Sequence, residues 1–197
     1  MSTTLKQLSQ KIWDIMPNVG AKELYDEINN SIDTLNSNGF IQESTVEIEA
    51  ASSGNLTEID LDDATNQITS VVNVKKSSGF RLQPRSVEFL EKYSASGDLV
   101  YNQTGDTLKF NASEIASGSA AELVVYESLP KFTTFNSASS ISVNEYFVPA
   151  ISYLTIATLA QKDKYKDGNK TTLYLEMYNN EVEKLRGIVS TFKEKGY

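Results

Sequence analysis

Chemistry in this chain would have to come from carboxylates, lysines and arginines, because the sequence has no histidine and no cysteine. Without an imidazole there is no Ser-His-Asp or Cys-His relay and no His-ligated zinc; without a thiol there is no Cys nucleophile, disulfide or Cys-based zinc site. Asp60-Leu61-Asp62-Asp63 is the densest acidic run, and oxygen-rich loops can hold Ca²⁺. It lacks the spacing and the glycine of an EF-hand loop, which favours a solvated turn. Glu47 and Glu49 form a carboxylate pair two apart on one strand face, the raw material of a carboxylate-based hydrolase but also a commonplace of acidic proteins. The sequence therefore predicts no enzyme, no catalytic residues, no cofactor and no metal site.

Other residues fit contact better than catalysis. Lys75, Lys76, Arg81 and Arg85 cluster around a Ser-Gly loop and could meet a phosphate backbone or another subunit; no Gly-rich phosphate loop accompanies them. Trp13 sits beside the main apolar stripe of its segment, where it could anchor a neighbour. These five, Trp13, Lys75, Lys76, Arg81 and Arg85, are the candidate interface residues. A formal charge of −8 argues against general nucleic-acid binding, which relies on cations neutralising phosphates.

The elements that position these residues follow from periodicity. Apolar residues at Leu8, Ile12 and Met16 predict a helix over 4–16, broken by Pro17 and Gly20; Leu24, Ile28, Ile32 and Leu35 predict a second, ended by Gly39. The pattern then changes to alternation. Thr45–Ala50, Ile68–Val74 and Glu122–Glu127 read as strands, 98–102 with 107–111 as a hairpin, and Ser86–Tyr93 as a short helix. Helical spacing returns after the Ser-rich loop at 136–140, where Ser142 and Glu145 fit a capping box and Pro149 marks either a bend or a nearby helix start. A fourth helix of Leu173, Met177, Leu185 and Val189 follows. The fold class expected is α+β: N- and C-terminal helical hairpins packed as one helical bundle over 1–39 and 140–197, with an inserted antiparallel β-rich region over 40–139. The N-terminus shows no signal-peptide h-region, and the longest apolar stretch, Phe147 to Ala160, is too short to span a bilayer.

This order of elements resembles the head-to-tail adaptor, or connector, proteins of tailed bacteriophages, and the tail-tube adaptors of short-tailed phages in particular. The residues that carry it are the helix pair Leu5 to Leu35, Leu61-Asp62-Asp63, Ile68 to Val72, Leu82-Gln83-Pro84-Arg85-Ser86, Leu108-Lys109-Phe110, Leu123 to Tyr126 and Tyr146 to Leu154. The resemblance spans nearly the whole chain. It implies a structural virion protein that is assembled in the host cytoplasm into a ring, commonly twelve-fold, beneath the portal. The implied partners are other copies of itself, the portal protein, tail or nozzle proteins, and genomic DNA that passes through the lumen without specific binding; no membrane is involved. The competing expectation is a binding module whose β-region recognises a glycan or host-surface ligand through exposed aromatics among Phe40, Phe80, Phe89, Tyr93, Tyr101, Phe110, Tyr126, Phe132 and Phe135.

Overall fold

A computed structural model describes residues 2–53, 56–64, 67–76, 80–92, 100–132 and 142–195. The chain divides into two compact units: Met1–Gln42 with Leu129–Lys195, and Glu43–Ser128.

The first unit is arranged around one helix. Helices α1 (Leu5–Trp13), α2 (Ala21–Ser37), α4 (Val148–Gln161) and α5 (Gly168–Lys195) belong to it, with a short ladder of β1 (Ser2–Thr4) and β10 (Ser142–Asn144). Helix α4 is apolar nearly all the way round, as a helix enclosed by others must be. Val148, Ile151, Ile156, Ala157 and Leu159 are all buried, and α1, α2 and α5 each pack on it. Pro149 lies in its first turn, where no intrahelical donor is lost, so the proline starts the helix and does not bend it. Helix α1 is opened by a capping box in which the Thr4 hydroxyl accepts from Gln7 N–H while the Gln7 side chain accepts from Thr4 N–H. Ser142, expected to cap a helix, instead lies in β10 opposite Thr4.

Two asparagines strap the returning chain to α2. The Asn36 amide accepts from the Leu129 N–H at 2.8 Å and donates to the Leu129 carbonyl at 3.0 Å. Asn29, two turns earlier on the same helix face, does the same to Phe132, with both bonds at 3.0 Å. Each amide side chain thus takes the place of a neighbouring peptide group, satisfying backbone that a sheet or helix would otherwise have to pair.

The second unit carries most of an eight-stranded sheet: β2 (Ile41–Glu49), β3 (Ala51–Ser53), β4 (Leu56–Asp60), β5 (Ile68–Lys76), β6 (Arg81–Pro84), β7 (Val100–Thr104), β8 (Thr107–Asn111) and β9 (Ala120–Ser128). The strand order is β2-β9-β5-β6-β7-β8-β4-β3. Its two edge strands are separated in sequence by Ala50 alone. Laid flat, eight strands would hold these edges about 34 Å apart, whereas two successive peptide units reach about 7 Å. The sheet must therefore curl, so that the end of β2 comes beside the start of β3. Register shifts in the β5–β9 pairing, between Ile68 and Ser70 and between Val71 and Asn73, add the local twist this needs. Ile59, Val74, Leu82, Leu108, Phe110, Leu123 and Val125 alternate inward to fill the concave side.

This architecture corrects the expected fold class. Among the described residues the chain is mixed α/β with five helices and a large curled sheet, and not a helical bundle carrying a small antiparallel insertion. The β-region was underestimated because β3, β4 and β6 have little internal alternation and are held by pairing with distant segments. Nor is the sheet purely antiparallel: helix α3 (Val87–Lys92) lies between β6 and β7, and this crossover makes the two strands parallel.

Candidate assembly surfaces

The five residues marked as interface candidates do not converge on one site. Trp13 ends α1, half-buried, and its indole N–H donates to the Val19 carbonyl at 2.9 Å, so its polar group is spent closing the turn between α1 and α2. Lys75 lies on β5 opposite Glu122 on β9 and forms an ion pair with it. On its other side Lys75 faces Arg81 of β6. Like charges opposite one another repel, and Glu122 offsets that repulsion from across the ladder. Lys76 is the last residue of β5; its side chain lies outside the described residues, as do residues 77–79 of the loop. Arg81 is exposed at the start of β6. Arg85 is also exposed and holds its place through the backbone, donating to the Tyr101 carbonyl at 2.7 Å and accepting from the Asn102 amide at 2.7 Å. Arg81 and Arg85, four residues apart on an extended run, are separated by about 13 Å. They form a basic margin on the connection through β6, beside Phe80, which is 62% exposed.

Two clefts were not foreseen from the sequence. One, of about 350 Å³ in the second unit, brings Glu47 and Glu49 of β2 together with Asp63 and the buried Glu127 of β9. Its apolar lining is Val46, Ile48 and Ala64. The pair Glu47 and Glu49 was visible as a one-face doublet; that a turn after β4 and the end of β9 add two more carboxylates depends on sheet order, which no local pattern encodes. Asp60, from the acidic run, uses a side-chain oxygen to accept the Asp62 N–H at 3.0 Å. Among the described residues no group of three or more acidic side chains is placed to hold a metal ion.

The other cleft, of about 440 Å³ in the first unit, lies between the α1–α2 turn (Ile15, Met16, Val19) and the α4–α5 turn (Lys164, Tyr165) with Lys170 at the start of α5. Beside it an ion network ties the α4–α5 turn to α2. The Tyr165 hydroxyl donates to Glu23 at 2.7 Å, and the Lys162 ammonium reaches Glu23 at 3.2 Å and Glu27 at 2.7 Å. The Tyr165 hydrogen bond, aided by Lys162, holds the Glu23 carboxyl below its ordinary range; the Glu27 hydrogen bond, with that of Glu23, raises the Lys162 ammonium above its own.

A glycan-binding reading calls for a cluster of exposed aromatics between residues 40 and 135. Among the described residues of that span Phe80 is the exposed one; Phe40, Tyr101, Phe110, Tyr126 and Phe132 are buried and Phe89 is half-buried. Tyr93 and Phe135 lie outside the described residues. No helix among the described residues is long and apolar enough to cross a membrane. No protein-family model matches the chain, and no curated protein matches it either.

Proposed function

We propose that this chain is a structural assembly subunit of a tailed-phage particle, a ring-forming adaptor between portal and tail that acts by shape and burial and catalyses nothing. The observation that carries this reading is the path of the chain: it leaves the first unit at Gln42, builds the whole of the second, and re-enters the first at Leu129, where Asn29 and Asn36 fasten it. A unit built from two separated segments, with a second unit formed by the segment between them in sequence, agrees with the adaptor resemblance in the order of elements. The polar side chains agree too. Of the candidate interface residues, Lys75 and Trp13 have structural partners, while Arg81 and Arg85 stay exposed for contact. A subunit of formal charge −8 repels DNA and would let it slide along a lumen.

The mass of the purified chain, measured alone and after mixing with portal rings, tests the proposal. Capture of many copies by one portal ring is the expected result. A chain that stays unbound by portal and by tail rings would overturn it.

A further inference from the structure

We propose that the free edge of β2 takes an added strand from a partner protein, an extended segment in which lysine or arginine alternates with apolar residues. The inference goes beyond the assembly reading and does not depend on it. Strand β2 ends the sheet order, and among the described residues β9 is its only strand neighbour. The register of β3 with β4 shows where pairing stops on the other side. Ala51 faces Glu58, so the same register carried back along β2 sets Glu49 opposite Asp60 and Val46 opposite Asp63. Strand β4 ends at Asp60, however, and the Leu61 N–H turns to the Asp106 carbonyl at 2.8 Å, in the β7–β8 turn. Asp60 holds this departure by accepting the Asp62 N–H. The ladder therefore opens into a seam, and there lies the cleft of about 350 Å³ whose lining includes residues 46–49 and 63–64.

Four consecutive residues of β2 line this cleft, and successive side chains of a strand point to opposite faces. A cleft that meets both faces runs along the strand's edge, where N–H and C=O groups project. Ile48 belongs to the unit's own core and Val46 packs against that core, so the strand presents to a partner its backbone and its outer face. That face carries Glu43, Thr45, Glu47 and Glu49, all exposed. An added strand pairs through its backbone and sets every second side chain beside this row. Cations two residues apart would meet Glu47 and Glu49, with Asp63 also lining the cleft. The alternate positions turn inward, as Val46 and Ile48 do, and call for apolar residues. The same carboxylates repel an identical edge from another copy, so the occupant is a basic partner and not a second β2.

The test uses the full-length chain and a synthetic peptide in which lysine and valine alternate, with affinity read by calorimetry and the bound site by amide hydrogen exchange. Binding with slowed exchange across residues 43–49 of β2 is expected. A strand directs its N–H groups alternately to its two edges, so methylating the backbone nitrogens of all lysines or of all valines should have unequal effects. One peptide should lose affinity by about tenfold or more, and the other, methylated on its outward edge, should keep it. Glu47→Lys combined with Glu49→Lys should weaken the lysine peptide by about tenfold and let a peptide of alternating glutamate and valine bind instead. No binding, binding without new protection in β2, or equal affinity of the two methylated peptides would overturn the proposal. Portal capture by a chain whose β2 edge is inert removes strand addition and leaves the adaptor reading, whereas an edge that takes the peptide in a chain no ring captures does the reverse.

Discussion

Replacing Asn36 by alanine should loosen the join at which the chain returns to its first unit. The substitution removes the acceptor of the Leu129 N–H and the donor to the Leu129 carbonyl, and Leu129 is only 1% exposed. A buried backbone group left without a partner costs about 1–3 kcal/mol, so two such groups cost about 2–6 kcal/mol where water stays out. Asn36 is itself half-buried, and water admitted to its place recovers part of that cost. Alanine also favours the helix over asparagine by about 0.5 kcal/mol. The expected loss is about 2 kcal/mol, which lowers the melting midpoint of a domain of this size by about 4–8 °C. Circular dichroism measures the midpoint, and hydrogen exchange at the Leu129 amide locates the effect. Asn36→Asp keeps the acceptor but sets a carboxylate against the Leu129 carbonyl, and should cost at least as much near neutral pH. Because Asn29 holds the same strap at Phe132, the double substitution should cost less than the sum of the two single ones. An unchanged midpoint together with unchanged exchange protection at Leu129 would refute the view that these amides hold the strap.

Other expectations concern packing, charge and backbone. Ile151→Ala should cost about 2–5 kcal/mol, because Ile151 is fully buried in the central helix, while the half-buried Leu154 should cost under about 2 kcal/mol; equal losses in chemical denaturation would show that α4 is not the centre of its unit. The Glu23 carboxyl, ordinarily 4.5, is lowered in the folded chain, so its stabilisation is present above that value and is lost as the pH falls through the folded value. Glu23→Gln should therefore flatten the acid limb of the stability profile below about pH 5, and an unaltered acid limb would dismiss the Tyr165 and Lys162 contacts as stabilising. Gly105 turns the β7–β8 hairpin at φ 59°, so Gly105→Ala should cost about 1 kcal/mol, read from the denaturation midpoint.

The helices were legible because each announces itself locally. Leu8, Ile12, Leu24, Ile28, Ile32 and Leu35 repeat at helical spacing, and all are buried. Thr4 and Gln7 carry a capping signature that local reading can recognise, while the similar Ser142 and Glu145 do not act as one, because pairing of β10 with β1 overrides the local preference. The sheet was less legible. β8 and β9 alternate and β5 concentrates β-branched residues, but the order that sets β2 and β3 at opposite edges is decided by partners far away in the chain, and so is the crossover that makes β6 and β7 parallel. The acidic cleft and the Asn29 and Asn36 straps share that cause: their partners lie in other elements, and no periodicity connects them. Trp13 has a partner that periodicity does not show either, since its indole N–H serves a turn six residues on.

Copies of this chain are proposed to assemble between portal and tail. The most direct measurement is electron microscopy of an assembled particle in which this chain carries a bound label. A ring of labelled density between portal and tail is the predicted result. Label confined to the tail fibres, to the capsid shell, or absent from the particle would contradict it.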